Sequence, residues 1–275
     1  PAAWNGLLPA PPAATPLAGP HTSDWLIIGA GFAGLAAARR LSQIRAGDTI
    51  TVLDAVRVGD GPAGRNSGFM IDLPHDLSSD NYGGNPAADR AQIQANRAAI
   101  EFARAAALDH GLPPEAFVPS GKINAAASPR GMRHNADYAA HLASLGEPHV
   151  IHDASRMQEI TGTDYYQGGL YTPGAAMIQP AMFVRGLARG LATNRVAVHE
   201  NSPVTGLARA NGVWTATTPA GSVQAPNVIL AVNGHAESFG FFRRRLQHVF
   251  TYATLTPALH PADAAAPGWL PCPGL

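Results

Sequence analysis

Three glycines and one carboxylate carry the clearest chemistry in the chain. Gly29, Gly31 and Gly34 form GxGxxG at the end of the apolar run "DWLIIGAG", and Asp54 closes the next apolar run twenty positions after Gly34. In this context a first glycine makes the tight turn. A second lets a pyrophosphate approach a helix N-terminus, where free N–H groups and the helix dipole favour anions. The third allows close helix–strand packing, and the acid accepts hydrogen bonds from a ribose. A second glycine cluster follows in "GDGPAGRNSG", where Gly59, Gly61, Gly64 and Gly68 fall within ten residues, with Arg65 and Asn66 between them. Glycine at that density means positive φ or backbone lying close against something.

The elements that must position these groups follow from pattern. Residues 24–31 read as a buried strand, 32–44 as an Ala/Leu-rich helix and 49–55 as a second strand, giving a parallel βαβ unit. A helix is predicted over 86–110 with Ile93, Ala95, Ile100, Phe102 and Leu108 as its stripe, a strand over 121–128, and a helix over 130–145 ending at Gly146. Residues 168–177 read as strand and turn and 179–194 as a helix. Strands are predicted at 196–200, 203–210, 212–219, 221–234 and 246–259, with hairpin signals at 210–212 and 219–221. The proline-rich residues 1–23 read as an extended arm, and the last sixteen residues as irregular.

Bulk properties exclude other classes. The 275 residues are 46% hydrophobic, enough for a globular core, with 19 basic and 19 acidic residues and no net charge. No basic surplus argues for a nucleic-acid partner, and no apolar run reaches the roughly 18 residues of a membrane span. The single cysteine, Cys272, allows no internal disulfide; with no signal peptide visible, a cytoplasmic protein is expected. None of the eleven histidines makes a metal-ligand pattern, so no metal is expected.

Between NAD and FAD, two features favour FAD. The chain after Asp54 turns into the glycine loop instead of continuing βαβ, and a strand meander over 196–225 feeds the apolar "NVILAVNG". Flavoproteins of the glutathione-reductase-like class share this arrangement. An NAD-dependent dehydrogenase is the weaker alternative.

At this point the chain resembles the FAD-dependent family of D-amino-acid oxidases, glycine and sarcosine oxidases and γ-glutamylputrescine-type amine oxidoreductases. The segments are "IIGAGFAGLAAARRL", "VLDAVRVGDGPAGRNSG", "YYQGGLYTPGAAMIQP", "ENSPVTGL" and "NVILAVNG", in family order, and the Trp-containing arm "WNGLLPAPPAATPLAG" resembles the γ-glutamylputrescine branch. The resemblance implies an α/β fold: a Rossmann-like FAD-binding domain with an interleaved α+β substrate domain, incomplete at the C-terminus. It implies an arm over 1–23, FAD-domain parts over 24–110 and 178–240, and substrate-domain parts over 111–177 and from 241.

The cofactor-binding set it implies is Gly29, Ala30, Gly31, Phe32, Ala33, Gly34, Asp54, Ala55, Ala63, Gly64, Arg65, Asn66, Ser67, Gly68, Val204, Ala231, Asn233 and Gly234. Backbone N–H groups of Ala63 to Ser67 would meet FAD, Arg65 would face phosphate, and Val204 would contact adenine through its backbone. Loop-capping is the alternative for Arg65 and Asn66. The implied reaction is oxidation of an amine or amino-acid C–N bond by hydride transfer to flavin, with no catalytic triad. Met70, His75 and Tyr252 are the substrate-side candidates. Asp72 is a further candidate for a cationic amine, or else a solvated or capping residue. Gln179 stands where many relatives have histidine before proline.

Family members continue for more than a hundred residues, whereas "PGWLPCPGL" departs from them. A truncated chain is therefore expected. The alternative function is a non-catalytic flavin-binding remnant or half of a split enzyme, with a partner chain supplying the missing part.

Overall fold

The computed structural model describes residues 3–74, 86–247 and 249. In chain order these form α1 (Ala3–Gly6), β1 (Gly19–Thr22), β2 (Trp25–Ile28), α2 (Phe32–Ile44) and β3 (Ile50–Leu53). Then come β4 (Phe69–Met70), α3 (Pro86–Asp109), β5 (Phe117–Val118), β6 (Lys122–Ala126), α4 (Pro129–Leu145), β7 (Val150–Asp153) and α5 (Ala154–Thr161). The last are β8 (Gly168–Thr172), β9 (Ala176–Ile178), α6 (Pro180–Leu191), β10 (Val196–His199), β11 (Gly206–Ala210), β12 (Val213–Thr217), β13 (Gly221–Ala225) and β14 (Asn227–Leu230). They fall into two compact units. The described residues of the first come from Pro1–Ser67, Ala107–Leu112 and Gln179–Leu255, those of the second from Gly68–Ala106 and Pro113–Ile178. The described residues of 68–74 and 86–106, a stretch expected with the FAD-binding domain, group with the second unit.

The first unit is built on an all-parallel sheet in the order β10-β3-β2-β14. Every residue of β3 is buried, and Leu26, Ile27 and Ile28 of β2 are buried too, as expected of parallel strands covered on both faces. Helix α2 turns Leu35, Ala38 and Leu41 inward. Its one buried charge, Arg39, donates to Asp109 at 2.5 Å. A second sheet, β1-β13-β12-β11, holds three strands of the predicted meander, β11, β12 and β13, whereas β10, expected with them, pairs in parallel with β3 in the first sheet. Its β11–β12 turn is Asn211-Gly212 with φ of 51° and 82°, the two left-handed residues a type I′ hairpin needs. Leu17, Leu26, Ile28, Leu53, Ala216, Val223 and Ala225 form the core joining the two sheets.

Two expectations change here. The single strand predicted over 221–234 is two strands in different sheets, β13 and β14, split at Pro226. Proline has no N–H for a ladder and restricts the residue before it, so the chain leaves one sheet and enters the other. The arm is not merely extended: it carries α1 and then β1, which pairs in parallel with β13, while Leu17 is buried.

The second unit holds two antiparallel three-stranded sheets, β4-β9-β5 and β6-β8-β7. Helix α4 starts at Ser128, whose hydroxyl accepts from the Gly131 N–H at 3.2 Å, and ends at Gly146 with φ 77°. Its Tyr138 is buried against Leu73, Ile93 and Leu170, and the phenol donates to the Pro74 carbonyl at 3.1 Å. The predicted stripe of α3 holds at Ile93 but not at Leu108, which is 66% exposed. β7 and α5 were not anticipated; Asp153 caps α5 by accepting from the Arg156 N–H at 2.8 Å. Of the strand predicted over 246–259, Leu246, Gln247 and Val249 are described and lie in no strand. The rest of it lies outside the described residues.

Candidate functional site

The nucleotide loop starts where β2 stops. Gly29 donates to the Leu53 carbonyl at 2.8 Å and adopts φ +103°. A Cβ on Gly29 would meet the Ala231 carbonyl oxygen at 2.5 Å, and one on Gly34 would meet the Gly29 carbonyl oxygen at 1.8 Å. Both glycines are therefore demanded by the fold itself. Gly31 differs: a Cβ there would meet only the Ala63 Cβ, at an ordinary 3.5 Å. Gly31 is also the N-cap of α2 and provides no side-chain acceptor, so the first-turn N–H groups at Phe32, Ala33 and Gly34 open outward. That is the cradle the fingerprint requires, an uncapped helix start whose glycine leaves room in front of it.

Asp54 lies at the base of this cradle. Its Oδ2 accepts from the Ala30 N–H at 2.7 Å and its Oδ1 from the Val56 N–H at 3.0 Å. The acid thus fastens the glycine loop to the end of β3, and its remaining lone pairs can accept ribose hydroxyls. Burial lifts its carboxyl above the usual carboxylate value. Backbone N–H donors at Val56, Ala30 and Ala55 pull it back, and the nearby Glu200 pushes it further up.

The second glycine cluster folds on itself. Gly59 has φ +90° and Gly68 φ +82°, and a Cβ on Gly64 would meet the Gly59 carbonyl oxygen at 1.9 Å. Between them Pro62–Gly64 makes a single 3₁₀ turn. This corrects one expectation. The N–H groups of Gly64 and Arg65 are not free for a cofactor; they donate to Gly61 and Pro62, each at 3.1 Å, because the turn closes on them. Asn66 takes the loop-capping role, its amide donating to the Ala63 carbonyl at 2.8 Å. The Arg65 side chain is exposed and has no partner among the described residues. Ala63 is the loop residue brought against Gly31.

Ala231 closes the turn from the other side, donating to the Ile28 carbonyl at 2.8 Å, and Asn233 (φ 50°) and Gly234 open a 3₁₀ helix just beyond it. Val204 packs on the core cluster that includes Leu53. Ala55 is exposed beside Asp54. Among the substrate-side candidates, Met70 lies on β4 in the second unit, and His75 and Tyr252 lie outside the described residues. Asp72 is neither solvated nor available at both oxygens: it is 1% exposed, and Oδ2 accepts from Arg97 Nε and Nη2 at 3.0 Å each.

Three residues around the loop escaped sequence reasoning, Trp4, Asn5 and Arg185, and Gln179, singled out there only for its place before a proline, joins them. Gln179 is the N-cap of α6, its Oε1 accepting from the Met182 N–H at 2.7 Å. A capping residue immediately before a proline at a helix start was the available signal.

Comparison with known proteins agrees with this geometry. The profile of the DAO family, FAD dependent oxidoreductase, matches residues 24–274. The chain is 27% identical over 244 residues to "Probable oxidoreductase OrdL" of Rhizobium meliloti, covering 84% of this chain and 54% of that protein. Its fold is similar to glycine oxidase from Geobacillus kaustophilus, with TM-score 0.64, 19% identity, and coverage of 77% of this chain and 55% of that one. It is also similar to L-α-glycerophosphate oxidase from Mycoplasma pneumoniae with FAD bound, with TM-score 0.60, 18% identity, and coverage of 80% and 56%. The chain thus spans about half the length of the relatives it matches. No helix among the described residues is long and apolar enough to cross a membrane.

Proposed function

Because this chain belongs to the DAO family of FAD-dependent oxidoreductases, we propose that it is the FAD-holding part of an enzyme that oxidises the C–N bond of an amine or amino acid. The observation that carries this reading is the uncapped start of α2, with Gly31 leaving space in front of it and Asp54 at its base. These residues fit FAD. The first-turn N–H groups of α2 would hold the pyrophosphate, Asp54 the ribose hydroxyls, and the exposed Arg65 a phosphate oxygen. Held by these residues, FAD would supply the acceptor for the hydride that leaves the carbon next to nitrogen.

The chain's own work is then binding, orientation and charge placement. An amine that arrives neutral gives up a hydride and a proton to become an imine, and water converts the imine to a carbonyl compound and the released amine. Removing that proton needs no dedicated base when nitrogen carries a free lone pair. The C–N reading is supported by the resemblance of the glycine-loop and strand segments to those of amine and amino-acid oxidases and by the likeness in fold to a glycine oxidase. The glycerophosphate oxidase neighbour favours a second reading, oxidation of a C–O bond on the same scaffold.

The test is spectroscopic. The purified chain is expected to show flavin absorbance that is released as FAD on heating. Anaerobic addition of an amine or amino-acid panel is expected to bleach it, and of glycerol phosphates to leave it unchanged. Bleaching by the alcohols alone would replace the C–N reading with the C–O one. No flavin even with excess FAD would restrict the proposal to a longer protein.

A further inference from the structure

The N-terminal segment is tied to the loop at both of its ends. The Trp4 indole N–H donates to the Asn66 carbonyl at 2.8 Å, at the loop's far end. The Asn5 amide donates to the Gly59 carbonyl at 3.0 Å and to Asp60 Oδ1 at 2.7 Å, at its near end. The contacting residues lie 62 and 54 positions apart in sequence, so nothing local brings them together.

The segment is in turn fixed from behind by α6. The Gln179 amide donates to the Trp4 carbonyl at 3.1 Å. Arg185 donates from Nη1 to Asn5 Oδ1 at 3.4 Å and from Nη2 to the Pro9 carbonyl at 2.8 Å. Asn5 is thereby oriented: its oxygen faces Arg185 and its nitrogen faces the loop. Gly59 is where the three parts converge, because a Cβ there would lie 3.3 Å from Arg185 Cγ and 3.5 Å from Asn5 Oδ1. The loop's own turn leaves it few alternatives for rigidity. Its own backbone bonds run from Gly64 to Gly61 and from Arg65 to Pro62, with Asp60 donating to Arg57 at its base, while the carbonyls of Gly59 and Asn66 are taken by the strap.

We propose that Trp4 and Asn5 are positioning residues that clamp the loop 59–67 into the shape that receives FAD, with Gln179 and Arg185 holding the clamp. This rests on the FAD reading for its ligand, but the clamping itself does not. A loop preordered before binding costs less entropy when the ligand arrives, so the strap acts on FAD affinity without touching FAD.

The experiment uses the full chain with Trp4→Phe, which keeps an aromatic ring and removes the donor, and Asn5→Leu, which keeps the branched shape and removes both the amide donors and the acceptor facing Arg185. In the apoprotein, hydrogen exchange is expected to quicken at amides in 59–67 while α2 and β3 amides keep their protection. FAD titration is expected to show about a tenfold weaker Kd in the double variant, the equivalent of about 1.4 kcal/mol and thus of one or two net hydrogen bonds. Unchanged exchange in the loop would overturn the clamp. Faster exchange everywhere would also overturn it, showing that the strap serves global stability alone. If exchange quickens in the loop while wild-type chain binds no FAD, the clamp stands and the FAD reading of the loop fails.

Discussion

Gly34 lies so close to Gly29 that a methyl group on Gly34 would sit 1.8 Å from the Gly29 carbonyl oxygen. The helix and the turn before it are locked at that point. Gly31, between them in sequence, has no such neighbour, with Ala63 Cβ at 3.5 Å its nearest contact. One motif thus contains glycines required by the fold and a glycine that leaves room for a ligand.

The two kinds separate experimentally. Gly34→Ala is expected to destabilise the apoprotein by about 3 kcal/mol or more, because the clash is with backbone that cannot move aside. Gly31→Ala is expected to leave apoprotein stability within about 1 kcal/mol, the usual scale of an N-cap change, and to weaken FAD binding by roughly tenfold or more. Denaturant unfolding and FAD titration of both variants check this. Equal losses of stability would show that Gly31 too is structural.

Asp54 gives a pH dependence with opposite signs for folding and binding. Its folded carboxyl titrates above the unfolded value because of burial, so the native apoprotein holds the proton more tightly than the unfolded chain. Ionisation therefore costs stability as pH rises through that window, and the cost is relieved as pH falls. The ionised carboxylate is the better ribose acceptor, so FAD affinity is expected to fall as pH falls through the same raised value. Asp54→Asn is expected to flatten the affinity profile. Titrations of Kd against pH for both proteins decide it.

Arg97 neutralises the buried Asp72 in the second unit. The carboxylate is 1% exposed, its Oδ1 has no hydrogen-bond partner among the described residues, and Gly174 packs against Oδ2. Removing the cation leaves a buried charge, whereas removing the carboxylate leaves an Arg97 that still reaches Glu147 at 2.5 Å. Arg97→Met is expected to cost about 2–3 kcal/mol, the lower side for a buried pair because Arg97 is 42% exposed. Asp72→Asn is expected to cost less. Urea denaturation of both variants tests the asymmetry, and the reverse order would discount the ion pair.

At the meander hairpin, Gly212→Ala is expected to destabilise by about 1 kcal/mol, since φ is +82° there and the surroundings are open. Thermal or urea unfolding measures it. A neutral result would mean the turn adopts another type without cost.

The sequence by itself determined the elements whose signals are local. An apolar run stopped by glycine and followed by an alanine-rich stretch specifies β2 and α2, and the helix spans Phe32–Ile44 as read. Asn211-Gly212 specifies its hairpin, and the position of Asp54 at the end of β3 follows from strand length and spacing. Tertiary structure alone decided what depends on distant partners. Pro226 divides one apolar run between two sheets only because β12 and β2 stand on either side to receive the halves. Asn66 caps its own loop, a choice between two roles that the residue type left open. The docking of Trp4 and Asn5 on residues more than fifty positions away has no local signature, because those hydrogen bonds go to backbone carbonyls and to an acid that any sequence could offer. Periodicity and turn chemistry act over a few residues, while closure of the site requires the whole unit to be folded.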